Sequence, residues 1–214
     1  LGTEFGFEPP RAHGFDTVDA IRAMHDGSAK VFIALGGNFL SATPDTHYTA
    51  AALTRCRLTV QISTKLNRSH LLTGKTCIVL PCLGRTDLDT QASGPQSVTV
   101  EDSMSMVHAS RGFLNPPSPF LKSEPAILAG IAHATVGNRH GIDWLGMIEN
   151  YDRIRDKIEI VFPDFADFNK RVRVRGGFRL NVPASHREWR TSTGKANFLI
   201  ACGLDEDPRL KDPD

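Results

Sequence analysis

No C-x-x-C pair occurs in these 214 residues, and the four cysteines, Cys56, Cys77, Cys82 and Cys202, stand apart in the chain. Isolated buried thiols in a reducing cytosol are expected from such spacing. An iron–sulfur or zinc centre built by this segment alone is not. Long apolar runs are also missing. The longest, such as residues 31–35 and 77–80, fall far short of a bilayer span. Nor is there an excess of charge of one sign. With 25 Lys and Arg against 24 Asp and Glu, the formal charge is +1, which excludes a broad pull toward nucleic acid or anionic lipid. No G-x-G-x-x-G run is found, which counts against a standard nicotinamide dinucleotide fingerprint. No signal-peptide pattern opens the chain. It starts at Leu1, in a run that reads as mid-protein, so an excised segment of a cytoplasmic protein is expected.

What is present is ordinary for a soluble globular domain: 40% hydrophobic and 23% charged residues, in a chain long enough for one large domain with a real core. Residues 16–25 read as a helix with Val18, Ile21 and Met24 on one face, ended by Gly27. Residues 31–35, 58–62 and 76–80 are short apolar runs that read as buried strands. Pro44 and Asp45 open a helix between the first two. Strands alternating with helices, each strand apolar on both faces, predict a doubly wound α/β fold with a mainly parallel sheet covered on both sides. Right-handed crossovers then place the turns that follow the strands along one edge. Residues 84–95 read as a loop, and residues 97–107 can hold a strand. Residues 123–135 read as a helix with Ser123 as N-cap. Residues 151–161 read as an amphipathic helix with Ile154, Ile158 and Val161 on one face. Residues 176–182 and 195–201 could be short strands. The domain is expected over residues 1–200, with 201–214 a charged linker stub or disordered tail.

Four segments could carry chemistry. The first strand ends in Gly36, Gly37 and Asn38. Two glycines there let a ligand approach the backbone and leave amides free for phosphate oxygens, although a plain tight turn has the same sequence. The second strand runs into Ser63, Thr64, Lys65, Asn67, Arg68, Ser69 and His70, dense in hydrogen-bonding groups, which is also how a capped helix start reads. The third strand runs into residues 81–87. The fourth segment, residues 100–108, carries Asp102. Its carboxylate suits a guanine amino edge or a cation, or equally a helix cap. A Ser103–His108–Asp102 triad can be drawn on paper, but no nucleophile-elbow pattern supports a hydrolase.

In order, the segments are VFIALGGNFLSATPDT, LTVQISTKLNRSHLLTG, CIVLPCLGRTDLD and QSVTVEDSMSMVHASRG, then YDRIRDKIE and WRTSTGKANF. Together they resemble the molybdopterin oxidoreductase superfamily, in particular its formate-dehydrogenase-alpha-like subgroup. The resemblance covers nearly the whole chain, from about Phe5 to Phe198. In that superfamily a strand ending in Gly-x-Asn-Pro precedes a strand ending in an Asp-containing turn. The resemblance places Gly36, Gly37 and Asn38 at the first turn, with Phe39 in place of the usual Pro. Ser63 stands where the Asp usually lies, with Asn67 and Ser69 at its partner Thr positions. A hydroxyl cannot make the paired carboxylate contact to guanine, and the run from Ser63 to Asn67 matches the subgroup's own pattern.

The resemblance implies a fragment that binds one guanine-dinucleotide arm of a bis(molybdopterin guanine dinucleotide) molybdenum or tungsten cofactor. The cofactor-binding residues would be Gly36, Gly37, Asn38, Ser63, Thr64, Asn67, His70 and Asp102. The parent enzyme would act on formate or a small related substrate. A 4Fe-4S cluster, the metal ligand and the domains that close over the cofactor would lie outside this segment. The isolated segment is therefore expected to have no redox activity and to bind no iron or molybdenum tightly. The alternative is a catalytically silent cofactor-binding or scaffold module. A nicotinamide- or thiamine-dependent domain is disfavoured by the missing phosphate fingerprints. The first seven of the eight residues are expected to line one shallow surface, at a crevice where the strand order reverses.

Overall fold

The computed structural model describes residues 1–198 and Gly203. A short turn, α1 (Gly2–Phe5), precedes helix α2 (Thr17–Asp26). Asp16 caps α2 by accepting the Asp19 amide at 2.9 Å, and Gly27 closes it in the left-handed region at φ 84°. Strand β1 (Val31–Leu35) leads through α3 (Phe39–Ala42) to α4 (Thr46–Arg55), which Asp45 caps through the Tyr48 amide at 2.8 Å. Strand β2 (Leu58–Ser63) follows, then a 3-10 turn (Arg68–Leu71) and β3 (Thr76–Pro81).

The three strands are parallel neighbours in the order β1-β2-β3. Ile33 pairs with Val60 and Val60 with Ile78. Leu35 pairs with Ile62 and Ile62 with Leu80. All three strands therefore end at one level, and their following turns share one edge. On one sheet face, Phe32 packs against the core of α2, α3 and α4: Ile21, Met24, Leu40, Ala52 and Leu53. On the other, Val60 and Ile62 meet Ile127 of α5 (Glu124–Val136). Burying a side chain the size of Leu53 or Ile62 contributes roughly 2–3 kcal/mol. No helix among the described residues is long and apolar enough to cross a membrane.

The remaining elements are the small hairpin β4 (Thr90–Gln91) and β5 (Gly94–Pro95), then β6 (Val98–Glu101) and β7 (Met106–Ser110). After α5 come α6 (Trp144–Glu149), α7 (Asp152–Val161), α8 (Phe168–Arg171) and β8 (Phe178–Arg179). Strands β6, β7 and β8 form an antiparallel sheet over a second core of Val107, Phe168, Val172 and Phe178. The Phe168 and Phe178 rings meet edge to face, centroids 5.7 Å apart, and the Arg171 guanidinium lies 3.8 Å from the Phe178 centroid.

Several expectations need correcting. Only one of the three sheets is parallel. Helices do lie on both of its faces, but only β2 is enclosed. Val31, Ile33 and Leu35 are 54%, 49% and 47% exposed, because α5 covers β2 without reaching over β1. Ile78 and Val79 on β3 are also exposed, and so is Cys77. The strand order runs straight through, so the three parallel strands contain no reversal and no switch-point crevice. The buried member of α7 is Arg155, not an aliphatic residue. Strand β8 spans two residues, and residues 195–198 form no strand. The expected tail, Gly203 apart, and the end of the 195–201 segment lie outside the described residues.

Candidate functional site

The carboxyl edge of the parallel sheet starts at the turn after β1. The Gly36 amide extends the ladder by donating to the Ile62 carbonyl at 2.8 Å. Gly36 and Gly37 then both take positive φ, 66° and 72°. A side chain at either would cost about 1–2 kcal/mol in that conformation, which is why two glycines stand here. Among the described residues no protein group accepts from the Gly37 or Asn38 amides, and both residues are exposed. A Cβ at Gly37 would meet nothing within 4 Å. Two unpaired N–H groups beside open space are an anion-binding arrangement. Phe39, where a Pro was expected, tilts onto Phe32 with centroids 4.9 Å apart and anchors the turn to the core.

This turn is braced by the segment after β2. Asn67 donates from Nδ2 to the Gly37 carbonyl at 2.8 Å, while its Oδ1 accepts the Ser69 amide at 2.9 Å. The Ser69 hydroxyl donates to Asn38 Oδ1 at 3.1 Å and accepts the Leu40 amide at 3.0 Å. Buried Gln61 fixes Ser69 from below, Nε2 donating to its carbonyl at 2.8 Å. His70 Nδ1 accepts the Asn67 amide at 3.0 Å. Its Nε2 is buried without a partner among the described residues. Gly36, Gly37, Asn38, Asn67 and His70 thus form one hydrogen-bonded unit. Asn67 acts in it as a brace.

Ser63 and Thr64 sit on the same edge, at the end of β2. The Ser63 hydroxyl donates to the Lys65 carbonyl at 2.6 Å. Thr64 lines a cleft of about 390 Å³ with Gly84, Asp87, Ser110 and Glu124. Asp87 accepts the Gly84 amide at 2.7 Å. Glu124 reaches across from α5: its Oε1 lies 3.8 Å from where a Gly36 Cβ would be. In the sequence Glu124 is only the residue after the expected N-cap, Ser123, of the 123–135 helix. No local signal shows that α5 starts opposite the β1 turn.

Behind the cleft a polar cluster fixes the start of α5. The Tyr151 hydroxyl donates to the Asp89 carboxylate and shares a 2.7 Å hydrogen bond with Ser123. The Tyr151 amide donates to Gln96 Oε1 at 2.9 Å. Burial, then the Asp89 carboxylate, pushes the phenol far above its usual range, so it stays protonated. Ser123 holds the N-cap position of α5, but its hydroxyl serves Tyr151 and makes no cap bond.

Asp102 is not brought to this edge. Its Oδ1 accepts the Met104 and Met106 amides, at 2.9 and 3.0 Å, and shapes the β6–β7 turn. The opposite end of that hairpin, Val98 and Ser110, lines the Thr64 cleft. Four extended residues separate the two ends, roughly 13 Å. Asp102 and His108 border a separate cleft, and no side-chain hydrogen bond joins either to Ser103 among the described residues. Among the described residues, no three His, Cys, Asp or Glu side chains cluster as a metal site would need.

No family model matches this chain. It is 58% identical over 201 residues to an uncharacterized oxidoreductase of Mycobacterium bovis, covering 94% of this chain and 26% of the relative. An uncharacterized oxidoreductase of Mycobacterium tuberculosis gives the same figures. The protein YdeP of Escherichia coli is 50% identical over 208 residues, covering 97% of this chain and 27% of the relative. The chain spans about a quarter of the length of the curated relatives it matches.

Proposed function

We propose that this chain is a segment of a larger cytoplasmic oxidoreductase resembling molybdopterin-dependent formate dehydrogenases. Its sheet edge binds one guanine-dinucleotide arm of a bis-pterin molybdenum or tungsten cofactor. The oxidoreductase part rests on what the relatives are named and on how much longer they are. The nucleotide part rests on one observation: the turn after β1, with Gly36 and Gly37 left-handed, presents the unpaired amides of exposed Gly37 and Asn38 at the end of a parallel strand, held by Asn67 and Ser69. Backbone amides so held meet phosphate oxygens without reorganising.

The residues present fit a diphosphate better than they fit the base. Gly37 faces open space, so a phosphate reaches the amides without a clash. The Ser63 hydroxyl is engaged with Lys65, and Thr64, Arg85, Asp87 and Glu124 are among the polar groups that a base would meet in the adjoining cleft. Bound, the cofactor supplies the two-electron chemistry, on formate or a small related substrate. This chain's residues hold and orient its nucleotide end. The 4Fe-4S cluster and the metal ligand belong to the parent's remaining domains. Those domains also cover the open side of β1, where Val31, Ile33 and Leu35 would otherwise face water, which parallel strands avoid.

The test is cofactor analysis of the longer protein that carries this segment. Molybdenum or tungsten should be recovered together with guanine nucleotide, and Gly37→Val should lower both. A purified, active oxidoreductase containing neither metal nor guanine would overturn the reading.

A further inference from the structure

The stretch from the last turn of α8 onward is strongly basic. Residues 170–195 contain eight Lys or Arg and one acidic residue, Glu188, in a chain whose net charge is only +1. Three guanidiniums of this side of the molecule converge. Arg111 follows β7, Arg155 projects from α7, and Arg173 follows α8. All three line a polar cleft of about 380 Å³. A second cleft of about 560 Å³ continues from it, shares Ala109, Val172 and Arg173, and adds Arg175 and His108. The two form one groove, in the range of volumes that small-molecule ligands occupy.

The hydrogen bonds show what is left for a ligand. A guanidinium carries five N–H donors. Arg155, only 6% exposed, uses three of them: Nε to Asn169 Oδ1 at 2.6 Å, Nη1 to the Ser97 carbonyl at 3.0 Å, and Nη2 to Asp152. Arg173 gives Nη1 to the Asn169 carbonyl and Nη2 to the same Asp152 carboxylate. Asp152 therefore serves two arginines. Arg111 and Arg175, both exposed, have no hydrogen-bond or ion-pair partner among the described residues. Of the carboxylates in the groove, Asp152 is taken and Asp102 caps its own turn. The groove holds four arginines against two aspartates, with unused donors on each wall.

We propose that this groove is a second binding site, for the diphosphate of a phosphorylated small molecule, separate from the Gly36–Asn38 edge and independent of the function proposed for it. Guanidiniums pair with phosphate oxygens in bidentate fashion. The excess of positive charge over both walls matches an anion of more than one charge. Free diphosphate and a nucleoside diphosphate share this chemistry.

The test is an NMR titration of this 214-residue chain with inorganic pyrophosphate, and separately with GDP, at matched ionic strength. The proposal expects pyrophosphate to shift the amides of Ala109, Arg111, Arg173 and Arg175. It expects the Arg111→Gln/Arg175→Gln double variant, changed only at exposed positions, to weaken binding by about tenfold or more. Lys30→Gln/Lys75→Gln, an equal loss of two charges at exposed positions before β1 and β3, should leave it unaltered. GDP binding the groove more tightly than pyrophosphate would identify a nucleotide as the ligand, and equal affinity the diphosphate alone. Pyrophosphate shifts confined to residues 36–38 would overturn this site and leave the sheet-edge reading standing. Equal weakening by Lys30→Gln/Lys75→Gln would overturn it as a property of net charge.

Discussion

Replacing Gly37 by Ala separates backbone conformation from space. Gly37 sits at φ 72°, and a Cβ there would meet nothing within 4 Å. The folded state should therefore lose only the left-handed penalty, about 1–2 kcal/mol. For a chain of this size that lowers the melting temperature by roughly 2–8 °C. Gly37→Asn should recover half or more of it, since Asn tolerates that region. Gly177 is the internal comparison. It too has positive φ, 70°, but a Cβ there would lie 1.9 Å from the Val107 carbonyl oxygen and 2.9 Å from His108 Cα. No side-chain rotation relieves a clash with backbone, so β8 must move off β7. Gly177→Ala should cost on the order of 4 kcal/mol or more. Urea denaturation of the three variants measures all of this. A Gly37→Ala cost above about 3 kcal/mol would mean that the face beside the turn is filled. No cost at all would mean that the turn is not left-handed. Either result refutes the reasoning that makes this turn a phosphate cradle.

Three further outcomes follow from the other sites. Arg155→Ala should destabilise by about 3 kcal/mol, because it strips Asp152 of a buried partner. Arg155→Lys should recover less than half, since one ammonium cannot reach Asn169, Ser97 and Asp152 together. Burial alone would raise the Asp152 carboxyl, but hydrogen bonds and charge from Arg155 and Arg173 outweigh it and hold the group below its ordinary 3.8. Its contribution is thus present above about pH 4 and lost as pH falls through the lowered folded value. The stability gap between wild type and Asp152→Asn, read by urea denaturation at several pH values, should shrink below pH 4. In a Cys202→Ser background, Cys77, exposed on β3, should react first with a thiol reagent. Cys56 and Cys82, buried and with thiols raised by that burial, should react only as the chain unfolds.

The parallel core was legible because its signals are local. Three apolar runs mark β1, β2 and β3. Asp16, Gly27 and Asp45 punctuate α2 and α4 through contacts within four residues. The turn glycines announced their own backbone conformation. What was not legible depends on distant neighbours. An apolar run shows that Val31, Ile33 and Leu35 can be buried, but not that α5 stops short of them. Asn67 looks like a free ligand group until Gly37, 30 residues away, is seen to accept from it. Ser123 fits the N-cap pattern, yet Tyr151, 28 residues on, takes its hydroxyl. Arg155 was hidden by counting only apolar positions on α7. The packed guanidinium, satisfied by Asp152 and Asn169, is more buried than the isoleucines beside it. Asp102, a cofactor residue only by resemblance, sits in the β6–β7 turn, where its carboxylate serves the turn's own amides.

The central claim is that the turn after β1 and the brace after β2 together hold a guanine nucleotide. An NMR titration of the chain with GDP measures it directly. Affinity should be weak, on the order of millimolar to tens of micromolar, or about 4–7 kcal/mol, with the edge open on one side. Shifts should include Gly36, Gly37, Asn38 and the segment from Ser63 to His70, and Gly37→Val should abolish those shifts while the groove around Arg173 still responds. GDP shifts that leave residues 36–38 and 63–70 untouched, or edge binding unchanged by Gly37→Val, would contradict the account.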